Sequence, residues 1–275
     1  IYEIKDTNKI SPLFGHWEET LIWSCLQGIM GKIYANDLTA PTAAMAVIGD
    51  FTFFAGEPCP ELIAYRPPHC TQNFMIAVPQ NKLWENMLTQ FYGKKAKNFC
   101  YATKKEPPIF NKHHLEKIVA SLPKQYTLSM IDSHFYKLCK SEAWSKDLVS
   151  QFSTYEKYRR LGIGVVISKD GLIISGASSY SRYQNGIEIE IDTRKEYRRN
   201  GFACICAAKL ILECLKRNLY PSWDAHNKAS AALAEKLGYH YSHAYTALEN
   251  GIIKIIVDSV SNPAGDVEKR AMDNI

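Results

Sequence analysis

The most regular alternation of apolar and polar residues in the chain lies in Gly186–Thr193. Three isoleucines fall on one face of this segment, and Glu188, Glu190 and Asp192 fall on the other. Because successive side chains of a β-strand point to opposite faces, the pattern predicts a strand with one apolar and one acidic face. In residues 201–217 apolar residues instead recur at helical spacing almost all round, which predicts a largely buried helix.

The rest of the second half alternates between strand-like and helix-like patterns. Asp170-Gly171 between two β-rich runs is typical of a hairpin, and Gly238 is placed to end a helix in a left-handed conformation. The predicted elements are strands at 126–131, 164–168, 172–175 and 220–225, helices at 133–158 and 227–237, and a closing hairpin of 239–248 with 252–258. This alternation predicts an α/β fold, with a mixed sheet and flanking helices.

A similar order of elements, less clearly marked, occupies the first half. Its predicted elements are a helix at 17–33, a hairpin of 43–48 with 51–54, strands at 74–78 and 98–102, and helices at 83–92 and 113–122. The parallel predicts an internal structural repeat; the alternative is one large α/β domain with an N-terminal extension. Because Pro123 marks a loop, we predict an N-terminal α/β domain at 1–124 and a second domain at 125–275.

Composition narrows the classes of function. The chain has 275 residues, 46% of them hydrophobic and 22% charged, which is typical of a globular protein. Its net charge of +5 is mild and the basic residues form short scattered groups, so we expect no nucleic-acid partner. None of the eight cysteines forms a Cys-x-x-Cys pair, so we expect no metal site. No apolar run approaches the roughly 18 residues of a membrane span, and reduced thiols favour the cytoplasm.

The segment with the clearest chemical potential runs from the acidic strand through a basic loop into the buried helix. The N-terminus of a helix offers unpaired N–H groups and a partial positive charge, which together can bind a pyrophosphate. Gly201 lets the backbone approach a phosphate closely, and Ala203 keeps the turn slim. Arg198 and Arg199 add positive charge. The segment therefore predicts a phosphate-binding loop.

This loop carries a resemblance to a known family. The spacing Arg198-x-x-Gly201-x-Ala203 matches the Arg/Gln-x-x-Gly-x-Gly/Ala fingerprint of GNAT acyltransferases. Asn227 and the run Glu-Lys-Leu-Gly-Tyr at 235–239 resemble the second segment of that family. Residues 126–258 therefore resemble a GNAT domain, whereas the first half lacks the phosphate loop and resembles a degenerate GNAT-like domain that walls the acceptor cleft.

One branch of the family looks closer than the others. Glu-Ile-Glu-Ile-Asp-Thr at 188–193, paired with Pro-Ser-Trp-Asp at 221–224, resembles the branch that includes the zwittermicin A resistance acetyltransferases. This resemblance suggests an aminopolyol antibiotic or a related metabolite as the acceptor, and hence a role in antibiotic resistance.

The resemblance implies an acetyl-CoA-dependent N-acetyltransferase that acts on a primary amine of a small molecule. The strand with Glu188 and Glu190 should splay from the strand at 220–225 and open a cleft for the pantetheine arm. A β-bulge near 191–193 would direct backbone N–H groups towards the pantetheine amides and the thioester oxygen. The residues implied in binding acetyl-CoA are Ile191, Asp192, Thr193, Arg198, Arg199, Asn200, Gly201, Phe202, Ala203 and Asn227.

The reaction itself requires two proton transfers. An alkylammonium group with a pKa of about 10 must lose a proton before its nitrogen can attack, and a strand carboxylate can accept that proton. Glu190 is the first choice for this base and Glu188 the second; the alternative is that both merely form the polar face of the strand. Many relatives protonate the departing thiolate with a tyrosine, but this chain has Ala234 there. Ser230, one turn earlier, could hydrogen-bond the sulfur.

Two other functions remain open at this point. Ala234 motivates a catalytically inactive CoA-binding sensor or scaffold that has kept the phosphate loop and lost the chemistry. A tandem GNAT protein that takes its acyl group from a charged transfer RNA is also conceivable. The intact phosphate loop argues against it, because such a protein needs no site for the CoA pyrophosphate.

Overall fold

The computed structural model describes residues 1–68, 70, 74–93, 97–106 and 109–250, and within them two mixed β-sheets are flanked by helices. The strands are β1 (Tyr2–Ile4), β2 (Lys32–Ala35), β3 (Ala43–Ile48), β4 (Phe51–Gly56), β5 (Met75–Pro79), β6 (Lys97–Thr103), β7 (Thr127–Met130), β8 (Gly164–Lys169), β9 (Leu172–Tyr183), β10 (Gly186–Thr193), β11 (Tyr220–Ser222), β12 (Asp224–Ala225) and β13 (Tyr241–Asn250). The helices are α1 (Ser11–Phe14), α2 (Thr20–Leu26), α3 (Pro60–Ala64), α4 (Lys82–Tyr92), α5 (Lys112–Ala120), α6 (Ser133–Ser141), α7 (Tyr155–Leu161), α8 (Phe202–Lys216) and α9 (Lys228–Lys236). The predicted α/β class is confirmed.

The two sheets share a strand topology. In the first half β2, β3 and β4 form an antiparallel meander, and β5 lies parallel to β4. In the second half β8, β9 and β10 form the same meander, and β11 lies parallel to β10. This is the arrangement that the predicted internal repeat requires.

The last described strand, β13, belongs to the sheet of the first half. The order of that sheet is β1-β2-β3-β4-β5-β13-β6-β12, so β13 lies between β5 and β6. The hairpin predicted from 239–248 rested on a local turn pattern, whereas both partners of β13 are distant in sequence; residues 252–258 lie outside the described residues. The two-domain division at 124 and 125 remains a prediction, because β12 and β13 complete the sheet of the other half.

Two predicted helices are shorter than their apolar periodicity indicated. The segment 133–158 contains α6, a 3-10 turn at Lys146–Leu148 and α7. It is interrupted because Thr154 caps a new helix, accepting a hydrogen bond from Lys157 N, and because the backbone of Glu142 is extended. The helix predicted at 17–33 is limited to α2, which Glu19 caps at its N-terminus.

The buried helix predicted at 201–217 is confirmed as α8, which packs on β8, β9 and β10. Its apolar residues share a core with Ile187 and Ile189 of β10, so the isoleucine face of that strand is the buried one. The opposite, acidic face of β10 points towards the first half. A second core contains residues from both halves, including Phe53, Phe152 and Val166. No helix in the described ranges is long and apolar enough to cross a membrane.

The segment predicted as one strand at 220–225 divides between the two sheets. β11 pairs with β10, and after Trp223 the chain crosses to β12, which pairs with β6. The pairing of β10 with β11 ends at Glu188 and Ser222, so the sheets diverge from that point. The predicted splay is therefore present.

The bulge predicted near 191–193 is wrong in position. The pairing of β9 with β10 is irregular between Glu188 and Ile189, because Tyr180 of β9 has no partner there. The hydroxyl of Tyr180 instead accepts a hydrogen bond from Asp50 N of the first half at 3.0 Å. The irregular pairing of β9 with β10 therefore coincides with a contact between the two halves, which a local sequence pattern could not reveal.

Candidate active site

Two concave regions meet at the open end of β10. One is a groove of about 720 Å³ between the loop before α8 and the start of α9. The other is a cavity of about 400 Å³ between the two sheets. Ile191 and Asp192 line both of them, so a molecule in the groove can meet a molecule in the cavity at these residues.

The loop before α8 builds one wall of the groove. Arg199 and Gly201 both have positive φ angles, 65° and 81°, and Gly201 caps the helix. A Cβ atom on Gly201 would meet nothing within 4 Å, so a side chain there would project into open space. The first hydrogen bond of α8 returns to Gly201 O, and the N–H groups of Phe202, Ala203 and Cys204 precede it. As at any helix N-terminus, these N–H groups have no hydrogen-bond partner within the helix and can bind an anion.

Arg198 and Asn200 hold the loop in shape. Arg198 Nε donates to Thr193 O at 3.0 Å, and its guanidinium lies 3.5 Å from Asp192 Oδ1. The side-chain amide of Asn200 donates to backbone carbonyls of the loop at 3.1 and 3.2 Å. Asn200 therefore braces the loop, and Arg198 ties it to the end of β10. Arg198, Arg199 and Lys236 give the groove a positive lining.

Asn227 and Ser230 lie on the opposite wall of the groove. Asn227 caps α9 by accepting a hydrogen bond from Ser230 N at 2.9 Å. Trp223 Nε1 donates to Ser230 Oγ at 3.1 Å. Because Trp223 uses Ser230 as an acceptor, the hydroxyl hydrogen of Ser230 can be donated to a further group in the groove.

The backbone of β10 points N–H groups out of its open edge. Arg194 N donates to Ile174 O of β9 at 2.9 Å, and alternate N–H groups of a strand point to opposite edges. The N–H groups of Ile191 and Thr193 therefore point away from β9, and that of Asp192 points towards it. Thr193 N is bonded to Asp192 Oδ1 at 2.7 Å. The N–H of Ile191 interacts in the same way with the carboxylate of Glu190 and lowers its pKa, although burial outweighs this effect.

The cavity is strongly acidic, and its residues come from both halves of the chain. The carboxylates that line it are Glu19, Asp50, Asp147, Glu188, Glu190, Asp192 and Asp224. Apolar and aromatic residues from β4, β5, β9 and β13 form the remaining wall. The first half thus lines this cavity; that the cavity is the acceptor cleft stays a prediction.

Glu188 is engaged in structural hydrogen bonds. It is 5% exposed and accepts from Thr20 Oγ1 at 2.5 Å and from Asp224 N at 2.7 Å. Burial and the charge of Asp224 raise its pKa. Its cross-strand neighbours are Ser181 and Ser222, whose buried hydroxyls have no hydrogen-bond partner among the residues described. Glu188 therefore joins α2, β10 and β12 at the point where the sheets diverge.

Glu190 has a different environment. Within the described part of the chain, no cation or side-chain donor bonds to its carboxylate. Burial, reinforced by the charges of Asp147 and Asp192, raises the pKa of Glu190 to about 8. A general base is most effective when its pKa lies near the operating pH, so the structure favours Glu190 over Glu188 for this role.

Lys105 and Glu19 are the other buried charged residues near Glu188 and Asp224. Lys105 Nζ lies 2.7 Å from Asp224 Oδ1, and both side chains are less than a tenth exposed. Glu19 is 3% exposed, and burial together with the charges of Asp224 and Glu188 raises its pKa well above the usual range. Burial alone would lower the pKa of Lys105, but the three neighbouring carboxylates outweigh it and raise that pKa.

Sequence reasoning missed most of the cavity. Asp50 lies in the turn of the predicted hairpin of 43–48 with 51–54, and neither Glu19 nor Asp147 was singled out. The acidic residues of the cavity that the sequence analysis did quote are Glu188, Glu190, Asp192 and Asp224. Asp224 and Glu188 are 36 residues apart, and Thr20 and Glu188 are 168 apart, so no short-range pattern could have joined them. His226 also lines the cavity, with Nε2 3.0 Å from Glu249 Oε1.

Comparison with known proteins gives a consistent result. A family model described as GNAT acetyltransferase matches residues 11–248, which include both halves. An uncharacterized N-acetyltransferase, YdfB of Bacillus subtilis (strain 168), is 28% identical over 249 residues, 84% of this chain and 90% of that protein. The crystal structure of a GCN5-related N-acetyltransferase-like protein from Streptococcus suis 89/1591 is 45% identical, with a TM-score of 0.83 over 89% of this chain and 98% of that one.

A more distant structure shows the fold alone. A GNAT-family acetyltransferase from Colwellia psychrerythraea is 9% identical, with a TM-score of 0.51 over 90% of this chain and 98% of that chain. None of these names refers to zwittermicin resistance, so the assignment to that branch stays a prediction.

Proposed function

The chain belongs to the GNAT acetyltransferase family, and from that premise we propose that it transfers the acetyl group of acetyl-CoA to a primary amine of a small molecule. The observation that carries the proposal is the meeting of a basic groove and an acidic cavity at Ile191 and Asp192. A groove with positive charge suits the phosphates of CoA, and a cavity with negative charge suits an ammonium group.

The hydrogen-bond donors and positive charges of the groove suit the phosphates of acetyl-CoA. The N–H groups at the start of α8, with Arg198 and Arg199 beside them, are suited to a pyrophosphate. Gly201 leaves open space where any side chain would compete with that pyrophosphate. Asn200 keeps the loop in its conformation, and Asn227 contacts the pantetheine arm.

Glu190 acts as the general base. The acceptor ammonium gives a proton to the Glu190 carboxylate, directly or through one water molecule, and the free amine nitrogen then attacks the thioester carbon. A C–N bond forms, the carbonyl oxygen becomes negatively charged, and a backbone N–H group at the open edge of β10 stabilises that charge. The C–S bond then breaks, the second proton of the attacking nitrogen passes to the departing sulfur, and Glu190 returns the first proton to the solvent. The products are therefore an acetamide, CoA with a free thiol, and one proton.

Ser230 assists the departure of the sulfur. Its hydroxyl hydrogen can bond to the CoA thiolate, because the bond from Trp223 occupies only the acceptor side of the oxygen. A thiol has a pKa of about 8.5, so its thiolate leaves without a strong acid. Ala234, at the position of the usual tyrosine, is fully buried, and a hydrogen bond from Ser230 is sufficient in its place.

The zwittermicin-type resemblance adds an aminopolyol antibiotic, or a related metabolite, as the acceptor. A cytoplasmic location belongs to the same proposal, since it would keep the eight cysteines reduced.

The test is a calorimetric titration with acetyl-CoA, using Gly201→Glu and a matched control. Gly171 also has a positive φ, 78°, and open space around it, but it lies in the turn between β8 and β9. We expect Gly201→Glu to weaken binding at least about 100-fold, because a carboxylate would occupy the phosphate site, and Gly171→Glu to bind like the wild type. Equal affinities of the wild type and Gly201→Glu for acetyl-CoA would refute the groove as the binding site of acetyl-CoA.

Transfer is then measured as thiol release with a panel of amines. Release with at least one amine would support the proposal. Binding of acetyl-CoA without release to any amine would refute transfer to an amine.

A further inference from the structure

The acidic cavity has more carboxyl groups than one ammonium group needs, and a bound cation would favour their ionised form. Its carboxylates form two clusters. The junction cluster, beside the groove, consists of Asp50, Asp147 and Glu190. The apex cluster, where the sheets diverge, consists of Glu19, Glu188 and Asp224. We propose that the acceptor carries at least two cationic groups joined by an apolar segment, with one cation bound at each cluster. This inference rests on the proposed acetylation of an amine, and it narrows the acceptor to a short diamine or triamine in place of an aminopolyol.

The junction cluster lacks a balancing cation. Asp50, Asp147 and Glu190 come from a hairpin turn, a 3-10 turn and β10, and none forms an ion pair within the described residues. They are close enough for their charges to interact: Asp147 raises the pKa of both Asp50 and Glu190. Lys146 lowers the pKa of Asp50, but burial and Asp147 outweigh it. A cation bound here would relieve this repulsion.

The apex cluster is only partly balanced. Among the described residues, Lys105 is the ammonium that pairs with this cluster, and its ion pair is with Asp224. Glu188 uses its oxygens to bond Thr20 and Asp224 N. Glu19 accepts a 3.2 Å bond from the N–H of Leu21, and its carboxyl group shares a proton with Asp224, a bond that raises the pKa of Glu19 and that a bound cation would replace. The unpartnered hydroxyls of Ser181 and Ser222 flank Glu188 and add unused polar capacity at the same place.

The walls between the clusters define the rest of the ligand. Leu21, Phe51, Ile76 and Ile189 line the cavity, so the part of the acceptor that joins the two cations is apolar. About 400 Å³ lies towards the small end of ligand-binding pockets, which suits a short di- or triamine. A carboxylate on the acceptor would be repelled by either cluster, so amino acids are disfavoured.

The position of the groove decides which nitrogen reacts. Glu190 directly precedes Ile191 and Asp192, which line both the cavity and the groove, so the nitrogen bound at the junction cluster is acetylated. The cation at the apex cluster stays protonated and positions the acceptor. Acetylation removes the positive charge at the junction, so the product loses one of its two attachments.

The experiment compares three acceptors with the same five-carbon chain at saturating acetyl-CoA. Cadaverine has two amines, 1-aminopentane has one, and lysine has two amines and a carboxylate. We expect kcat/KM, measured by thiol release, to be at least about ten-fold higher for cadaverine than for either of the others. Added salt should lower kcat/KM more for cadaverine than for 1-aminopentane, because two charge contacts are screened instead of one.

A variant locates the second cation. Glu19→Gln removes the charge and keeps an oxygen that can cap α2. We expect it to lower kcat/KM for cadaverine about ten-fold, with 1-aminopentane changed less than about two-fold. Loss of both activities together would indicate misfolding, which a thermal melt detects; cadaverine affinity is then compared in Asp224→Asn. The control is Glu116→Gln on the exposed surface of α5, which should leave both acceptors unchanged.

The outcomes separate this inference from the proposed function. Equal kcat/KM for cadaverine and 1-aminopentane, or for cadaverine and lysine, would overturn the dication inference and leave amine acetylation intact. If acetyl-CoA binds but no amine reacts, the three compounds are compared by calorimetry for binding to the CoA-bound protein. Equal affinities there would overturn the inference as well. Failure of acetyl-CoA to bind would instead reject the proposed function.

Discussion

The groove and the cavity meet at the same two residues but are built in different ways. The groove is formed by the end of β10, the loop before α8 and the start of α9, which lie close together in the chain. The cavity is formed by residues of both halves, from Glu19 to Tyr245. The groove is basic and the cavity acidic. The proposed site for acetyl-CoA can thus lie in one local motif. The proposed site for the acceptor depends instead on how distant segments of the chain pack.

The strongest test of this contrast is Glu190→Gln. Removal of the base should lower kcat by about 10²–10⁴-fold while acetyl-CoA affinity stays unchanged, because Glu190 lines the cavity and not the groove. The wild-type pH profile of kcat/KM should show an ionisation near pH 8, which the variant lacks. Rates against pH and calorimetry check both statements. A variant profile that overlays the wild type would remove Glu190 as the base.

Lys105→Met tests how strongly the apex cluster depends on the buried ammonium that pairs with Asp224. Removing one partner of a buried pair leaves an uncompensated charge, so we expect a loss of about 3 kcal/mol in the free energy of unfolding. The matched control is Lys209→Met, whose pair with Glu213 is more exposed and should cost less than about 1 kcal/mol. Urea unfolding at pH 7 measures both. Equal losses would show that the apex cluster is not held by charge.

The pH dependence of stability sharpens the comparison further. The folded pKa of Glu190, about 8, exceeds its ordinary value of 4.5. The stability contributed by protonated Glu190 is therefore complete below pH 4.5 and is lost as the pH rises through 8. Between pH 7 and pH 9, the wild type should lose about 1 kcal/mol more than Glu190→Gln. Thermal melts across this range measure the difference. If the pKa of Glu190 were at its ordinary value, the wild type and Glu190→Gln would lose the same stability.

Ser230→Ala should have the smallest effect. The thiolate leaves without a strong acid, so kcat should fall only about two- to ten-fold, in keeping with the loss of one hydrogen bond of about 1 kcal/mol. Steady-state kinetics with saturating acetyl-CoA measure it, and Ser230→Thr, which keeps the hydroxyl, should restore most of the rate. A fall beyond about 100-fold would make Ser230 an obligatory acid.

The parts of the fold that were predicted well are those set by local pattern. The alternation in Gly186–Thr193 gave the bounds of β10, and the apolar helix after Gly201 gave α8. The segment 133–158 failed because Leu148 and Phe152 keep a helical spacing while facing a core through a 3-10 turn and a loop.

The candidate site divides along the same line. The groove residues were available from the spacing of Arg198, Gly201 and Ala203, and the structure collects them in one wall. The cavity required the packing of α2 and the Asp50 turn against β9 and β10, which no residue spacing encodes. Glu19 and Asp50 could therefore be assigned to the candidate site only from the structure.

The place of β13 between β5 and β6 has a consequence for how the protein is made. A chain leaves the ribosome from its N-terminus, so β5 and β6 are exposed long before their shared neighbour is synthesised. Until then two strand edges of the first sheet have unpaired N–H and C=O groups, which is the condition under which strands join the wrong partner. The cavity, with Tyr245 of β13 in its wall, can close only after β13 has been synthesised and has paired with both strands. The acceptor site therefore depends on a late pairing event, whereas the groove needs only residues that are close together in the chain.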